Sequence, residues 1–253
     1  QALIATNLKA SFALRGSFWI QAAFMVMNNL IFFSVWWIFF QEFDEVRGWR
    51  LGDMALLYGT VAFGFGLSVV FGGGVRDLAH NIANGDLDPY LTQPKPLLLN
   101  AALSKTYASG WGDLLSGAAL IAMSGYVRWD TLPAIVIAPL AAGIVLTSTA
   151  ILANSLAFWL GPIDNLARQI WEFTVTFSVY PPSVYGTAVR VLVFTALPAG
   201  FVAHMPVELV RNFSWTTLAV VLGGVLLYAS LAIWLFHRGL RRYESGNRFG
   251  IRA

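Results

Sequence analysis

The side chains that most often carry out chemistry are sparse in this sequence and do not form a catalytic set. The three histidines, His80, His204 and His237, are far apart, and no HExxH motif places two of them on one helix face for zinc. Gly66 and Ser68 form a Gly-x-Ser, but no histidine falls inside a later apolar run to activate the serine. The sequence therefore predicts no metal site and no enzymatic activity of its own.

Motifs for binding nucleotides or nucleic acid are missing as well. The sequence has no Gly-Lys pair and hence no GxxxxGK[ST] loop, so we expect the chain neither to hydrolyse ATP nor to bind a cofactor by itself. A net charge of +3 over 253 residues is small and does not suggest a nucleic-acid partner. With no cysteine, the chain is not a disulfide-stabilised extracellular module.

The composition is that of an integral membrane protein. Hydrophobic residues make up 57% and charged residues 11%, against roughly 25% charged residues in soluble proteins. The apolar residues form long runs, which predict an all-α fold with six transmembrane helices in one domain covering residues 1–253. The predicted spans are about 18–40, 54–75, 103–127, 132–160, 163–180 and 215–236. Because the sequence begins with Gln1, we expect the natural chain to have further residues before it.

The region after span five is broken by three prolines, Pro181, Pro182 and Pro198. We interpret residues 183–212 as two short re-entrant helices that enter and leave the membrane from the outside; two ordinary spans, seven in total, are the alternative. With six spans, about two thirds of the 16 lysines and arginines fall on the side that holds both termini. The positive-inside rule then places both termini in the cytoplasm.

The longest loop on that side, about residues 75–96, is expected to be ordered. Three consecutive glycines precede it, and residues 75–84 predict a short amphipathic helix that Gly85 ends. Pro89 can begin another helix at its first position. The apolar face of the helix has i, i+3, i+4, i+7 spacing and consists of Val75, Leu78, Ala79 and Ile82.

Two stretches of this sequence resemble a known family. Residues 81–104, NIANGDLDPYLTQPKPLLLNAALS, combine Gly-acid-Leu-acid, Tyr-Leu and a proline-containing stretch. Residues 178–210 combine a Tyr-Pro break, an apolar segment with one arginine and a further proline. Both patterns are similar to those of the permease subunits of type-2 ABC exporters, in the short six-span bacterial group.

The resemblance implies an ATP-driven exporter of the bacterial cytoplasmic (inner) membrane that moves a lipid-like, hydrophobic or lipid-linked substrate outward. Its expected partners are membrane lipid, two ABC ATPase subunits, which carry the ATP and Mg, and a second permease subunit, identical or paralogous. The loop would couple to the ATPase through Val75, Arg76, Asp77, Leu78, Ile82, Gly85, Asp86, Leu87, Asp88, Pro89 and Tyr90.

A few polar residues within or near the spans are candidates for the translocation path or its gate. Asp113 is a costly charge inside span three, and pairing with Lys105 is its alternative explanation. The remaining candidates are Asn28, Asn29, Arg190, His204 and Glu208. Interhelical bonding is the alternative for the two asparagines, and interfacial anchoring for the other three. Two other functions stay open: a secondary carrier, which usually needs several buried acids, and a non-transporting scaffold or insertase.

Overall fold

The computed structural model of the protein describes residues 15–243, so the two termini, whose cytoplasmic position was predicted, lie outside it. The all-α prediction is confirmed: this part consists of helices and the loops between them, and its only β-structure is one isolated bridge between Val46 and Trp49. The helices are α1 (Arg15–Glu42), α2 (Leu51–Phe71), α3 (Leu78–Asn84), α4 (Asp88–Leu91), α5 (Leu97–Ala102), α6 (Ser109–Met123), α7 (Leu132–Ser155), α8 (Ala157–Leu160), α9 (Asp164–Ser178), α10 (Thr187–Phe194), α11 (Met205–Arg211) and α12 (Trp215–Leu240). Short 3₁₀ helices cover Gly73–Asp77 and Pro182–Val184, and a π-helix covers Gly200–His204.

The longer helices run between two ends of the molecule. We call the end that carries residues 72–108 the base and the opposite end, with residues 43–50, 124–131 and 179–214, the top. Among the described residues four helices are long and apolar enough to cross a membrane: Gly16–Glu42, Leu51–Phe71, Leu132–Leu160 and Trp215–Leu240. Helices α6 and α9 run between the same ends, but each has 15 residues, about 22 Å, against a hydrocarbon core of about 30 Å.

The centre of the bundle is the close contact between α2 and α6, and glycine makes it possible. A Cβ placed on Gly59 would lie 2.9 Å from the Gly117 carbonyl oxygen, and one on Gly66 would lie 2.8 Å from that of Gly110. A Cβ on Gly117 would in turn lie 2.5 Å from the Phe63 amide nitrogen. The two backbones therefore touch, as small residues allow in membrane helices.

Large apolar side chains cover much of the outside of this bundle. On α1, Ile38 is 68% exposed, and on α12 Leu226 is 67% exposed. Such wide apolar surfaces are stable only against lipid or another protein. Together with the four long apolar helices, they identify a multi-pass membrane protein.

Of the short helices at the top, the π-helix and α11 pack into the bundle, whereas most of α10 is exposed. The π-helix and α11 pack against α7 and α2, and Val202, Val207 and Leu209 are fully buried there. The helices are interrupted where the sequence has proline. Pro181 has an extended conformation after α9, and Pro198 lies just before the π-helix.

Candidate functional site

A groove of about 800 Å³ runs between α1 and the C-terminal end of α9. Its floor is formed by α2 and by Asp113 of α6, and its lining is mostly apolar. Aromatic rings dominate the walls: Phe32, Trp36, Phe39, Phe40, Trp49, Tyr58, Phe65 and Tyr180. Near the top, the rings of Trp36 and Tyr180 meet edge to face at 5.9 Å, and the Arg47 guanidinium donates to the Ser183 carbonyl at 2.7 Å. These two contacts connect the α1 side of the groove to the residues that follow α9.

The floor of the groove contains a buried polar cluster that joins α1 to α6. Asn29 Nδ2 donates to Asp113 Oδ1 and to Ser116 Oγ, both at 2.8 Å. Ser116 Oγ in turn donates to the Gly112 carbonyl at 2.8 Å. Asp113 is only 2% exposed, and its Oδ2 has no hydrogen-bond partner within residues 15–243. Asn29 and Asp113, both predicted path residues, thus meet at one point.

The two other pairings considered for this region turn out differently. Asn28 is exposed and lines the groove, and its Nδ2 donates to Met25 Sδ at 4.0 Å. The expected pairing of Asp113 with Lys105 is wrong, because Lys105 Nζ binds Asp77 Oδ2 instead. Residues 103–108 are not helical, so Lys105 does not stand two turns before Asp113 on one helix.

At the base, the apolar face predicted for residues 75–84 is buried against the rest of the chain. Val75, Leu78, Ala79 and Ile82 share one hydrophobic cluster with residues of α7 and α12, including Ile151 and Phe236. The backbone differs from the single helix predicted, since a 3₁₀ helix ends at Asp77 before α3 begins. Gly85 ends α3 with a φ of 77°, as predicted, and Pro89 is the second residue of α4, one position later than predicted.

Hydrogen bonds fix residues 73–91, the segment at the base, to the longer helices. The Ala79 amide donates to Asn154 Oδ1 of α7 at 3.1 Å. The Leu87 amide donates to the Tyr243 hydroxyl at 3.2 Å, and that hydroxyl donates to Asp88 Oδ1 at 3.0 Å. Burial, with this carboxylate acting in the same direction, raises the pKa of Tyr243 to about 12.

The side of the segment that faces away from the bundle is polar and open. Of the predicted coupling residues, Arg76, Asp86 and Pro89 are exposed, Asp77, Gly85, Asp88 and Tyr90 are half-buried, and Val75, Leu78, Ile82 and Leu87 are buried. Exposed His80 and Ala83 were not among the predicted residues, although they lie on the same short helix. Only the exposed and half-buried residues can meet a partner without unfolding the segment.

Contacts of Arg76 and Asp77 fix the N-terminal end of this segment. The Arg76 guanidinium lies 5.1 Å from the ring centres of both Tyr107 and Trp171, a cation–π arrangement. The hydrogen bond to Asp77 raises the pKa of Lys105 above its usual value, so the ammonium group is charged at neutral pH. Lys105 therefore contributes an ion pair at the base and does not contact Asp113 in the groove.

The predicted gate residues at the top are dispersed. His204 is buried and its Nε2 lies 2.9 Å from the Tyr180 carbonyl oxygen, whereas Arg190 is exposed and donates to the Pro182 carbonyl at 3.3 Å. Glu208 accepts a hydrogen bond from Asn212 at 2.9 Å. None of the three is among the residues that line the groove.

A buried ion pair that the sequence analysis did not anticipate lies beside them. Arg211 Nε is 2.9 Å from Asp53 Oδ1, and Asp53 also accepts from the Tyr126 hydroxyl and the Arg50 amide. The Arg211 guanidinium also lies 4.7 Å from the Trp49 ring centre. Asp53 and Arg211 both lie at the ends of apolar runs in the sequence, and nothing else in the sequence indicates that they pair.

Comparison with known proteins identifies the family. Neither curated proteins nor solved structures gave a significant match to the chain. The family model described as "ABC-2 family transporter protein" matches residues 24–247, which include the groove, the segment at the base and all the helices from α2 to α12. This match spans most of the chain, which therefore belongs to the ABC-2 family of transporter proteins.

Proposed function

We propose that the chain is the permease subunit of an ATP-driven exporter in the bacterial cytoplasmic membrane. It crosses the membrane six times, with α6 and α9 as the two short crossings, 179–214 as the re-entrant part and the base in the cytoplasm. Two ATPase subunits supply ATP hydrolysis, and a second permease copy or paralogue completes the path. Family membership and the absence of a phosphate-binding loop from the sequence support this assignment.

The observation that carries the proposal is the rigid segment at the base. One face of residues 73–91 is buried in the bundle, and the other exposes polar residues such as His80 and Asp86. The bonds from Asn154 and Tyr243 connect it to α7 and to the end of α12. A displacement of this surface by an ATPase would therefore be transmitted to membrane-spanning helices and not absorbed by a flexible loop.

The groove is proposed to be this subunit's half of the substrate path. An apolar, aromatic lining suits a hydrophobic or lipid-like molecule, and the groove opens beside α1, whose outer side chains are exposed. A second permease subunit placed against α1 and α9 would cover both the groove and these side chains.

Coupling can be measured on the chain reconstituted in lipid nanodiscs with the ATPase that co-purifies with it. Ala83→Arg adds a large charge to the exposed side of α3 without disturbing the buried side. We expect this variant to lower the ATPase rate of the complex at least tenfold. The control Asp130→Arg lies in an exposed turn at the top and should stay within twofold of wild type. A complex with Ala83→Arg that keeps its composition and full rate would refute the proposed contact.

A further inference from the structure

The groove contains one carboxyl group that the protein itself cannot fully satisfy. Asn29 has two amide hydrogens, and both are used, one by Asp113 Oδ1 and one by Ser116 Oγ. The Ser116 hydroxyl hydrogen goes to the Gly112 carbonyl. No donor of the cluster is left for Asp113 Oδ2, an atom that is itself buried and has no hydrogen-bond partner within residues 15–243.

The surroundings make this free oxygen energetically important. Asp113 lies in α6, in the wall of an apolar groove between helices of a membrane protein. An acid at such a place costs several kcal/mol unless a cation, a proton or a further donor satisfies it. The group therefore favours any ligand that brings a positive charge and a donor to it.

The walls of the groove suit the same kind of ligand. Trp36, Tyr58 and Phe65 are among the rings around the groove, and aromatic faces attract organic cations. The opposite charge in the lining is Arg47, which is exposed near the top and is already bonded to the Ser183 carbonyl. A cation at the floor is thus drawn by Asp113, whereas an anion there would be repelled by it.

We propose that the groove binds a hydrophobic organic amine. A small movement of the Asp113 side chain exposes the buried Oδ2 to the ammonium group, which donates to it, while the hydrocarbon part of the amine lies among the aromatic rings. This assignment rests on the proposed function, because it names the substrate class of the same path. Asp113 is then the residue that determines charge specificity, and Asn29 and Ser116 hold its carboxyl group in position.

Binding can be tested on the purified full chain in nanodiscs, without an ATPase. Equilibrium dialysis would compare 6-phenylhexylamine with 6-phenylhexanoate and 6-phenylhexanol, which share one skeleton and differ in charge. We expect saturable binding of the amine that weakens at least tenfold in Asp113→Asn. Asp130→Asn, which removes an exposed carboxylate at the top and outside the groove, should stay within twofold of wild type. Equal amine binding to wild type and Asp113→Asn, an equal loss in Asp130→Asn, or equal binding of the acid would overturn the proposal.

A second measurement on the wild-type chain guards against a variant that fails to fold. Dicyclohexylcarbodiimide modifies carboxyl groups in apolar surroundings, and mass spectrometry locates the adduct. The amine should protect Asp113 from modification and the acid should not; absence of protection by the amine would contradict the proposal. Both experiments are independent of ATP, so amine binding without any ATPase partner would separate this inference from the proposed coupling.

Discussion

Arg211, the last residue of α11, is paired with Asp53 in the first turn of α2, with Nε 2.9 Å from Oδ1. The Asp53 side chain is 4% exposed and that of Arg211 is 20% exposed, so the pair is largely withdrawn from water. Arg211 also donates to the Gly48 carbonyl at 2.8 Å. One side chain thus connects the short helices of the top with both the loop before α2 and α2 itself.

Removing Arg211 should therefore destabilise the protein strongly. Arg211→Met leaves the buried Asp53 carboxylate without its cation, which costs about 3 kcal/mol or more. The double variant Arg211→Met, Asp53→Asn should lose less stability than the two single variants together. Thermal unfolding in detergent measures the difference. Arg128→Met, which breaks the exposed pair with Asp130, is the control and should change stability by less than about 1 kcal/mol. Similar losses for both pairs would contradict this interpretation.

The contact between α2 and α6 gives a second prediction. Gly117→Ala forces a Cβ against the Phe63 amide nitrogen and should cost about 1–3 kcal/mol, because two backbones must separate. Gly223 in α12 has nothing within 4 Å of its Cβ position. Gly223→Ala should therefore leave stability unchanged or raise it by up to about 1 kcal/mol. Unfolding temperatures that fall equally in the two variants would show that the close contact between α2 and α6 does not determine stability.

The bond between Tyr243 and the segment at the base is testable by hydrogen exchange. Tyr243→Phe removes the acceptor of the Leu87 amide and should speed exchange there roughly 5- to 10-fold, corresponding to about 1 kcal/mol. The amide of Ala79, bonded to Asn154, serves as the internal control and should not change.

The pH dependence arises from the hydrogen bond that Tyr243 donates to Asp88. The folded pKa of Tyr243, about 12, lies above the ordinary value of 10.0, so the stability that the protonated hydroxyl contributes is complete below about pH 10 and is lost as the pH rises through about 12. The deprotonated oxygen still accepts from the Leu87 amide. A wild-type chain that is more stable than Tyr243→Phe at about pH 7 but not at about pH 9 would argue against this protonation.

Orientation is a fourth prediction, and the chain's lack of cysteine makes it direct. Thr187 at the top and Ala83 at the base are both exposed. If the base faces the cytoplasm, Thr187→Cys should react with a membrane-impermeant thiol reagent in intact cells, and Ala83→Cys should react only in opened membranes. The reverse pattern would invert the proposed topology.

Sequence periodicity was sufficient for local structure but not for pairing between helices. The buried face from Val75 to Ile82 and the left-handed Gly85 follow from spacing and residue type alone, and both were predicted. Asn29 and Asp113 are 84 positions apart, and periodicity does not say that α1 packs on α6. The same limit hid the pair of Asp53 and Arg211.

A face predicted from periodicity also does not reveal what covers it. The apolar face with Leu78 and Ile82 indicated a surface for an ATPase, whereas the chain itself covers both residues. Replacing them with Asp would unfold the segment and would not test coupling. A test of coupling therefore requires substitutions at the exposed residues of α3.

The central claim is that the base of this permease contacts an ATPase, and site-specific cross-linking in native membranes tests it most directly. A photoreactive side chain would replace Ala83 at the base or, as the matched control, Asp130 at the top, and mass spectrometry would identify the captured proteins. The account predicts that position 83 captures a protein with a GxxxxGK[ST] motif and that position 130 does not. Capture of no such protein at position 83, or equal capture at both positions, would contradict it.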